Sequence, residues 1–385
     1  MIERKVSIIT VCYNAEETIE KTIKSVLEQS YSNIEYIIID GGSTDKTLEK
    51  INKYFLYANF YKKYPEKELK YISEKDNGIY NAMNKGIKMA TGDLIGIINA
   101  DDWYEKDAIK RIVEESTSMH GLYIIHGNLA CESFLGAFDI IKPNNIAIDI
   151  WKEMPVCHPT CFVSKEVYEK VGYFDESLKI AADYEFVMRC VFEKVRFQYI
   201  NYTIATFSYG GISTTEYLLL EKENLEILMR YIERCPDIKS VYERRLYRFK
   251  IAALKEMVPS QLKKILHCKS CVIFGHGVFG TLIGGLCAKS EIKVDYYVDN
   301  NRSSNSNIDL ICSPEKLKNY RGVVVIAVKN NIKEIVEQIA TYGNKWVTII
   351  TMKEMMDDNW INIISENEEL KKINDILLSL KMENN

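Results

Sequence analysis

Charge of one sign is missing from this chain: 50 lysines and arginines stand against 54 aspartates and glutamates, a formal net charge of -4. With no long basic block and no array of stacking aromatics, nothing in the sequence favours nucleic acid as a partner. Long hydrophobic runs are missing too. No stretch reaches the about 18 apolar residues of a membrane-spanning helix, and the apolar run of the opening "MIERKVSIITVCYN" is too short for a signal peptide. A cytoplasmic protein is expected. Structural zinc spacing is a third absence. "CHPTC" (Cys157, His158, Cys161) and "HCKSCVIFGH" (His267, Cys268, Cys271, His276) lack paired ligands, and Cys271 opens a strand that would carry His276 away. The cysteines are scattered, so in a reducing compartment they read as buried thiols and exclude a disulfide framework. No repeat with a period of about 20 to 50 residues occurs, nor any low-complexity tract.

What is present is an ordinary globular composition, 47% apolar and 27% charged, in 385 residues, enough for two domains. Apolar runs of strand length alternate with helical patterns. "KVSIITVCY", "IEYIIID", "LKYIS" and "DLIGIIN" read as strands. Helices are expected over 16–29, with Ile19, Ile23, Val26 and Leu27 inward, over 44–55, and over 78–90, with Ile79, Ala82, Met83 and Ile87 inward. Continuous Val/Ile runs between helices indicate a parallel sheet covered on both faces. After Tyr104 the pattern loosens into a helix, the strands "GLYIIHGNLA" and "FDIIK", the helices "KEVYEKVG" and "AADYEFVMRCVFEK", and two strands, "RFQYIN" and "IATFSY". From Thr215 to about Val258 the chain reads as a charged helical connector with its own packing face, and a second domain is expected from about Pro259. The tail "ENEELKKINDILLSLKMENN" reads as an amphipathic helix that packs on its own domain or on a subunit partner. Its polar face is not strongly basic, which disfavours a membrane surface.

In a parallel sheet, ligands bind beyond the carboxyl ends of the strands. The polar residues collect there: Thr10, Cys12, Tyr13 and Asn14 after the first strand, Asp40, Gly41 and Gly42 after the second, Glu74 to Asn77 after the third, and Asn99, Asp101 and Asp102 after the fourth. In "GIINADDWY" two adjacent carboxylates repel each other unless a cation or proton sits between them. Such a pair suits a hard divalent cation, Mg2+ or Mn2+, shared with the phosphate oxygens of a nucleotide diphosphate. The plain alternative is Asp102 as the N-cap of the next helix.

Three segments in order, "SIITVCYNAEETIEKTIKSVLEQSYSNIEYIIIDGGSTDKT", "SEKDNGIYNAMNKGIKMATGDLIGIINADDWY" and "GYFDESLKIAADYEFVMR", together resemble the family 2 glycosyltransferases over roughly Lys5 to Thr215. The resemblance implies a GT-A nucleotide-diphospho-sugar transferase fold, a mostly parallel sheet flanked by helices. It places the nucleotide base near Thr10, Tyr13, Asn14 and Glu16, with Asp40 reading the base edge and Asp76 also facing the nucleotide. Asp101 would contact the ribose or the metal shell, and Asp102 would ligate the metal directly. Many members carry Asp at the position of Asn99, so this version of the motif is less acidic. Asp183 matches the family's base position, and Ala182 stands where many relatives carry a supporting Glu. His158 lies where relatives often have His near the acceptor, though it could equally be a packing side chain. "GGIST" (210–214) resembles a segment closing over the diphosphate, or is a simple turn.

The second domain opens with "VIFGHGVFG", in which Gly275, Gly277 and Gly280 have dinucleotide-fingerprint spacing, and Asp299 follows at the end of the next strand. A small Rossmann-like α/β unit is expected. Too little chain remains for a full dehydrogenase, so its glycine turn either binds a nucleotide or serves packing and assembly. The layout expected is thus a GT-A domain over 1–215, a helical connector over 216–259, and a Rossmann-like domain with a C-terminal helix over 260–385.

The function implied is a metal-dependent inverting hexosyl- or N-acetylhexosaminyl-transferase. It would move sugar from a UDP-sugar to a glycan or lipid-linked glycan in surface-polysaccharide synthesis, working at the inner membrane face without spanning it. Two rivals stay open: a nucleotide-sugar-binding or sensing protein with an inactive site, and an NAD-dependent oxidoreductase acting through the second domain. A homo-oligomer is compatible with every one of these readings.

Overall fold

The computed structural model describes residues 4–61, 64–132, 138–208, 216–232, 241–242, 245–246, 248–249, 259–300, 311–328, 331–344 and 346–351. It divides into two compact units, Met1–Arg245 and Leu246–Asn385. The "GGIST" segment, much of the connector and the C-terminal tail lie outside the described residues. Among the described residues no helix is long and apolar enough to cross a membrane.

The first unit is built on four parallel strands, β1 (Val6–Cys12), β2 (Ile34–Asp40), β3 (Glu68–Ser73) and β4 (Leu94–Asn99), in the order β3-β2-β1-β4. Every residue of β1 and β2 is buried, as unbroken Val/Ile runs require when helices cover both faces. Helices α1 (Ile19–Leu27) and α2 (Thr47–Tyr61) take one face, where Ile23, Val26, Ile51 and Phe55 share a core with Ile8, Tyr36 and Ile38. Helix α1 starts three residues later than its periodicity suggests, because Ala15 accepts the N–H of Thr18 at 3.1 Å in a preceding turn. Helix α3 (Ile79–Met89) packs against β1 and β2.

Beyond β4 the sheet becomes mixed. In chain order come β5 (Trp103–Tyr104), α4 (Ala108–Ser116), β6 (Tyr123–Glu132), β7 (Phe138–Ile141), α5 (Ile146–Asp149), β8 (Phe162–Ser164), α6 (Lys165–Val171), α7 (Ala182–Phe192), β9 (Arg196–Ser208) and α8 (Tyr217–Ile232). The sheet continues β4-β8-β6-β9-β5, with β7 paired to β6 and β8 antiparallel between β4 and β6. The two strands expected at "RFQYIN" and "IATFSY" are one strand of 13 residues. Its register against β6 shifts on either side of Asn128, so an irregularity in the pairing absorbs the polar Asn201–Thr203 stretch without ending the strand.

At the amino ends of β1 and β2 the side chain of Glu35 is fully buried. It accepts from Ser7 Oγ at 2.5 Å, Thr91 N–H at 2.7 Å, Thr91 Oγ1 at 2.9 Å and Lys70 Nζ at 2.6 Å. Burial pushes this carboxyl up, but Lys70, Ser7 and Thr91 outweigh it and hold the group down at about 2.

The second unit holds five parallel strands, β10 (Ser270–Phe274), β11 (Lys293–Val298), β12 (Ile311–Cys312), β13 (Gly322–Ile326) and β14 (Val347–Thr351), in the order β12-β11-β10-β13-β14. Helices α9 (Pro259–Leu266) and α10 (Val278–Lys289) bury Leu262, Leu266, Ile283 and Leu286 on one face, and α11 (Ile332–Thr341) buries Ile335 and Ile339 on the other. The strand order reverses at β10.

Candidate active site

A cavity of about 740 Å³ lies in the first unit, where the ends of β1 and β4, the start of α3 and the loop 176–179 meet. That size suits a small-molecule ligand. Tyr13, Asn14, Asn99 and Asp101 line it. Tyr13 is 63% exposed, and Asn14 turns the chain at φ 48° while its Oδ1 accepts the N–H of Thr44 at 2.9 Å.

Other residues expected to touch the nucleotide, Thr10, Glu16, Asp40 and Asp76, do not line this cavity. Thr10 is fully buried, its hydroxyl 3.1 Å from that of Tyr36. Asp40 is fully buried as well, accepting from Ser43 N–H at 3.1 Å, from the Ser43 hydroxyl and from Ser73 Oγ at 2.6 Å, so it braces its own turn. Glu16 accepts the N–H of Lys46 at 2.9 Å. Asp76 accepts the N–H of Gly78 at 3.0 Å, and its carboxylate lies so close to Gly41 that a Cβ there would stand 2.5 Å from Oδ2. A larger residue at position 41 would have to displace that carboxylate.

The acidic turn after β4 is tied to α1, since Thr22 Oγ1 reaches the carbonyls of Ala100 at 2.9 Å and Asp102 at 2.6 Å. Asp102 is fully buried. Its Oδ1 accepts the N–H of Ser208 at 3.1 Å, while Oδ2, like Asn99 Oδ1, is buried with no partner among the described residues. Burial first, and then the neighbouring Asp101 charge, push the Asp102 carboxyl up to about 8. A proton or a cation relieves that strain equally well. Among the described residues no three His, Cys, Asp or Glu side chains converge on one point.

Asp183 stands in the first turn of α7. Its Oδ1 accepts the N–H of Tyr184 at 2.8 Å and lies 3.3 Å from the hydroxyl of Tyr80, a cavity-lining residue. Burial raises its carboxyl above the usual range, against the opposing pull of His158, Tyr184 N–H and Tyr80. Burial in turn lowers the His158 imidazole, partly offset by Asp183. The His158 ring meets Phe174 edge-on at 5.8 Å, and Tyr80 flanks the same phenyl ring at 5.6 Å.

Several cavity residues escape the sequence reading: Tyr80, Asn81, Glu176 and Lys179. Helical periodicity puts Ile79 in the core, but Ile79 lines the cavity and Tyr80 is the buried member. The polar Asn84 is buried too, donating to Phe174 O at 2.9 Å and to Glu176 Oε1 at 2.8 Å. A polar residue on the inward stripe of α3 is the signal that could have pointed to the 174–179 loop.

In the second unit Gly275 has φ +103°, and a Cβ on Gly280 would stand 1.9 Å from Gly275 O. Asp299 Oδ2 accepts the N–H of His276 at 3.0 Å, so the acid and the glycine turn are bonded to each other.

Residues 7–127 match the family model "Glycosyl transferase family 2". A PGL/p-HBAD biosynthesis glycosyltransferase of Mycobacterium tuberculosis is 26% identical over 229 residues, which are 58% of this chain and 83% of that protein. An uncharacterized glycosyltransferase of the same species is 30% identical over 191 residues, 48% of this chain and 68% of that protein. Among solved structures, residues 1–349 of Staphylococcus aureus TarS superimpose with a TM-score of 0.48 at 17% identity, covering 64% of this chain and 72% of that one. From its family match and these relatives, the chain is a glycosyltransferase and belongs to glycosyltransferase family 2.

Proposed function

We propose that the chain transfers a hexosyl or N-acetylhexosaminyl group from a UDP-sugar to a hydroxyl of a glycan or lipid-linked glycan, with inversion and with a divalent cation. In this reading it acts in surface-polysaccharide synthesis at the inner face of the membrane. The observation that carries the proposal is the chemical asymmetry of the site. The β4 end offers an acid, Asp102, with a buried oxygen that no described group donates to. The α7 end offers a second acid, Asp183, bonded toward the cavity through Tyr80.

The donor set fits a hard cation. Asp102 Oδ2 and Asn99 Oδ1 are buried oxygens without partners among the described residues, and Asp101 lies beside them on the cavity. A carboxylate and an amide leave coordination positions for phosphate oxygens, the usual arrangement for Mg2+ or Mn2+ at a nucleotide. Bound there, such an ion would neutralise charge collecting on the departing diphosphate. Asp101 serves the ribose side, and Tyr13 offers an open ring face to the base. Asp40, Asp76, Thr10 and Glu16 hold the walls that place these groups. Asp183 removes the proton of the acceptor hydroxyl as that oxygen bonds to the anomeric carbon and the bond from this carbon to the diphosphate oxygen breaks. One displacement inverts the centre. A raised carboxyl pKa brings this base nearer to working pH, where proton transfer is most effective.

The test follows UDP release from UDP-sugars with Mn2+, with and without chelator, alongside calorimetry of Mn2+ with UDP. Asp102→Asn should abolish both turnover and the metal-dependent part of UDP binding. Turnover that ignores chelator and survives Asp102→Asn refutes the metal assignment.

A further inference from the structure

The segment leading into α7 buries Leu178 and Ile180 but has no polar side chain of its own to cap the helix. Ala181 stands at the N-cap with no side-chain bond to offer, Ala182 follows, and Asp183 takes the N–H of Tyr184 but not those that precede the helix. The backbone donors there must find an acceptor elsewhere. Those of Lys179, Ile180 and Ala181 all meet one carboxylate, that of Glu223 on α8: Oε1 accepts from Lys179 at 2.7 Å, and Oε2 from Ile180 and Ala181 at 2.9 Å each. Glu223 is only 4% exposed, and a carboxylate is kept at such a depth only when its hydrogen bonds are met.

The helix that carries it is fixed in place. Leu225, Ile227 and Leu228 are fully buried, Tyr231 stacks on Phe192 at the far end of α7 with centroids 4.7 Å apart, and Arg230 pairs with Asp175 at 2.7 Å. From the other side Tyr80 donates to the carbonyl of Ile180 at 2.5 Å. The loop is therefore clamped between α8 and α3, two residues before the acid that transfer requires.

We propose that Glu223 is a positioning residue for sugar transfer: it fixes residues 179–181 and thereby holds the Asp183 carboxylate in place, supplying from α8 an anchor that Ala181 and Ala182 cannot. This rests on Asp183 being the base. A displacement of about 1 Å at a reacting group costs on the order of 100-fold in rate.

Glu223→Gln keeps the size of the side chain but turns an amide donor toward backbone donors. Hydrogen exchange on the full chain should show peptides covering 178–184 losing protection by about tenfold or more, with the β1–β4 region unchanged. Unchanged protection over 178–184 overturns the anchor, and this arm requires no substrate. Should the glutamine variant fail to fold, Glu223→Asp keeps the charge, loses reach, and should give a partial loss over the same peptides. The second arm measures UDP release from a panel of UDP-hexoses with Mn2+ for the native chain, Glu223→Gln, Asp183→Asn and the double variant. Glu223→Gln should lower kcat by about 100-fold at a donor KM within about threefold, and the double variant should be no slower than Asp183→Asn, because residues acting as one unit are not additive. Losses that multiply in the double variant, or a KM that rises while kcat holds, overturn the positioning role. Native turnover in Asp183→Asn instead refutes the base assignment, and with it any role for Glu223 in transfer, while the exchange arm still shows whether the anchor exists.

Discussion

Asn99 and Asp102, in the turn that closes β4, each carry a buried oxygen with no partner among the described residues. Adding a third acid there separates the effect of charge from that of shape. Asn99→Asp should lower the melting temperature of the metal-free protein, by an amount corresponding to about 1–3 kcal/mol, because a third acid is added in a buried turn that already disfavours carboxylate charge. Mn2+ should then raise the melting temperature more in this variant than in the native chain, since a ligand stabilises the state that binds it. Equal shifts in both proteins would place the cation elsewhere. For Asp183 the sign follows from burial. Its pKa is raised, so a base there ionises only above the ordinary Asp range of about 3.9, and kcat/KM should climb with pH through that higher value. An acid limb at or below the ordinary range argues against Asp183. Both acids stand out in the sequence as candidates, because each lies in a contiguous motif. Tyr80 and Glu223 do not, because their bonds to Asp183 and the loop before it join segments far apart in the chain and leave no local spacing to read.

Strands β1, β2 and β4 follow their sequence closely, since a strand buried on both faces must be an apolar run and little else competes with it. Strand β9 does not, because a polar interval looks like a turn, whereas here β9 bulges its extra residues out of register with β6 and the strand runs on. Glu35 ties β1, β2 and β3 together at their amino ends, and its stabilisation has a defined pH window. The native group titrates at about 2 against an ordinary 4.5, so its contribution is complete above the ordinary value and is lost as pH falls toward 2. Lys70 is partly exposed, which weakens the pair, and on the order of 2–3 kcal/mol is expected near neutrality. The melting temperatures of native and Glu35→Gln proteins should differ most at pH 7 and converge toward pH 2–3. In the second unit, Gly280→Ala forces a methyl group against Gly275 O and should cost at least about 2 kcal/mol. A melting curve unmoved by that change would show that the turn relaxes freely.

Across the whole molecule, each unit has a sheet and an apolar core of its own, so each is expected to unfold as its own cooperative body. The described cavity belongs to the first. Calorimetric scans should therefore show UDP with Mn2+ raising one transition, by about 2.7 kcal/mol at a hundredfold excess over Kd, and leaving the other in place. Movement of the second transition alone would transfer the donor site to the Gly275–Gly280 turn. The anchor from α8 also bears on how much chain a working transferase needs. A fragment ended at residue 215 would keep every motif by which the family is recognised, yet would lack the carboxylate that three backbone amides share. Such a fragment should bind UDP and transfer nothing, so the smallest autonomous catalyst is longer than the stretch its own signature marks out.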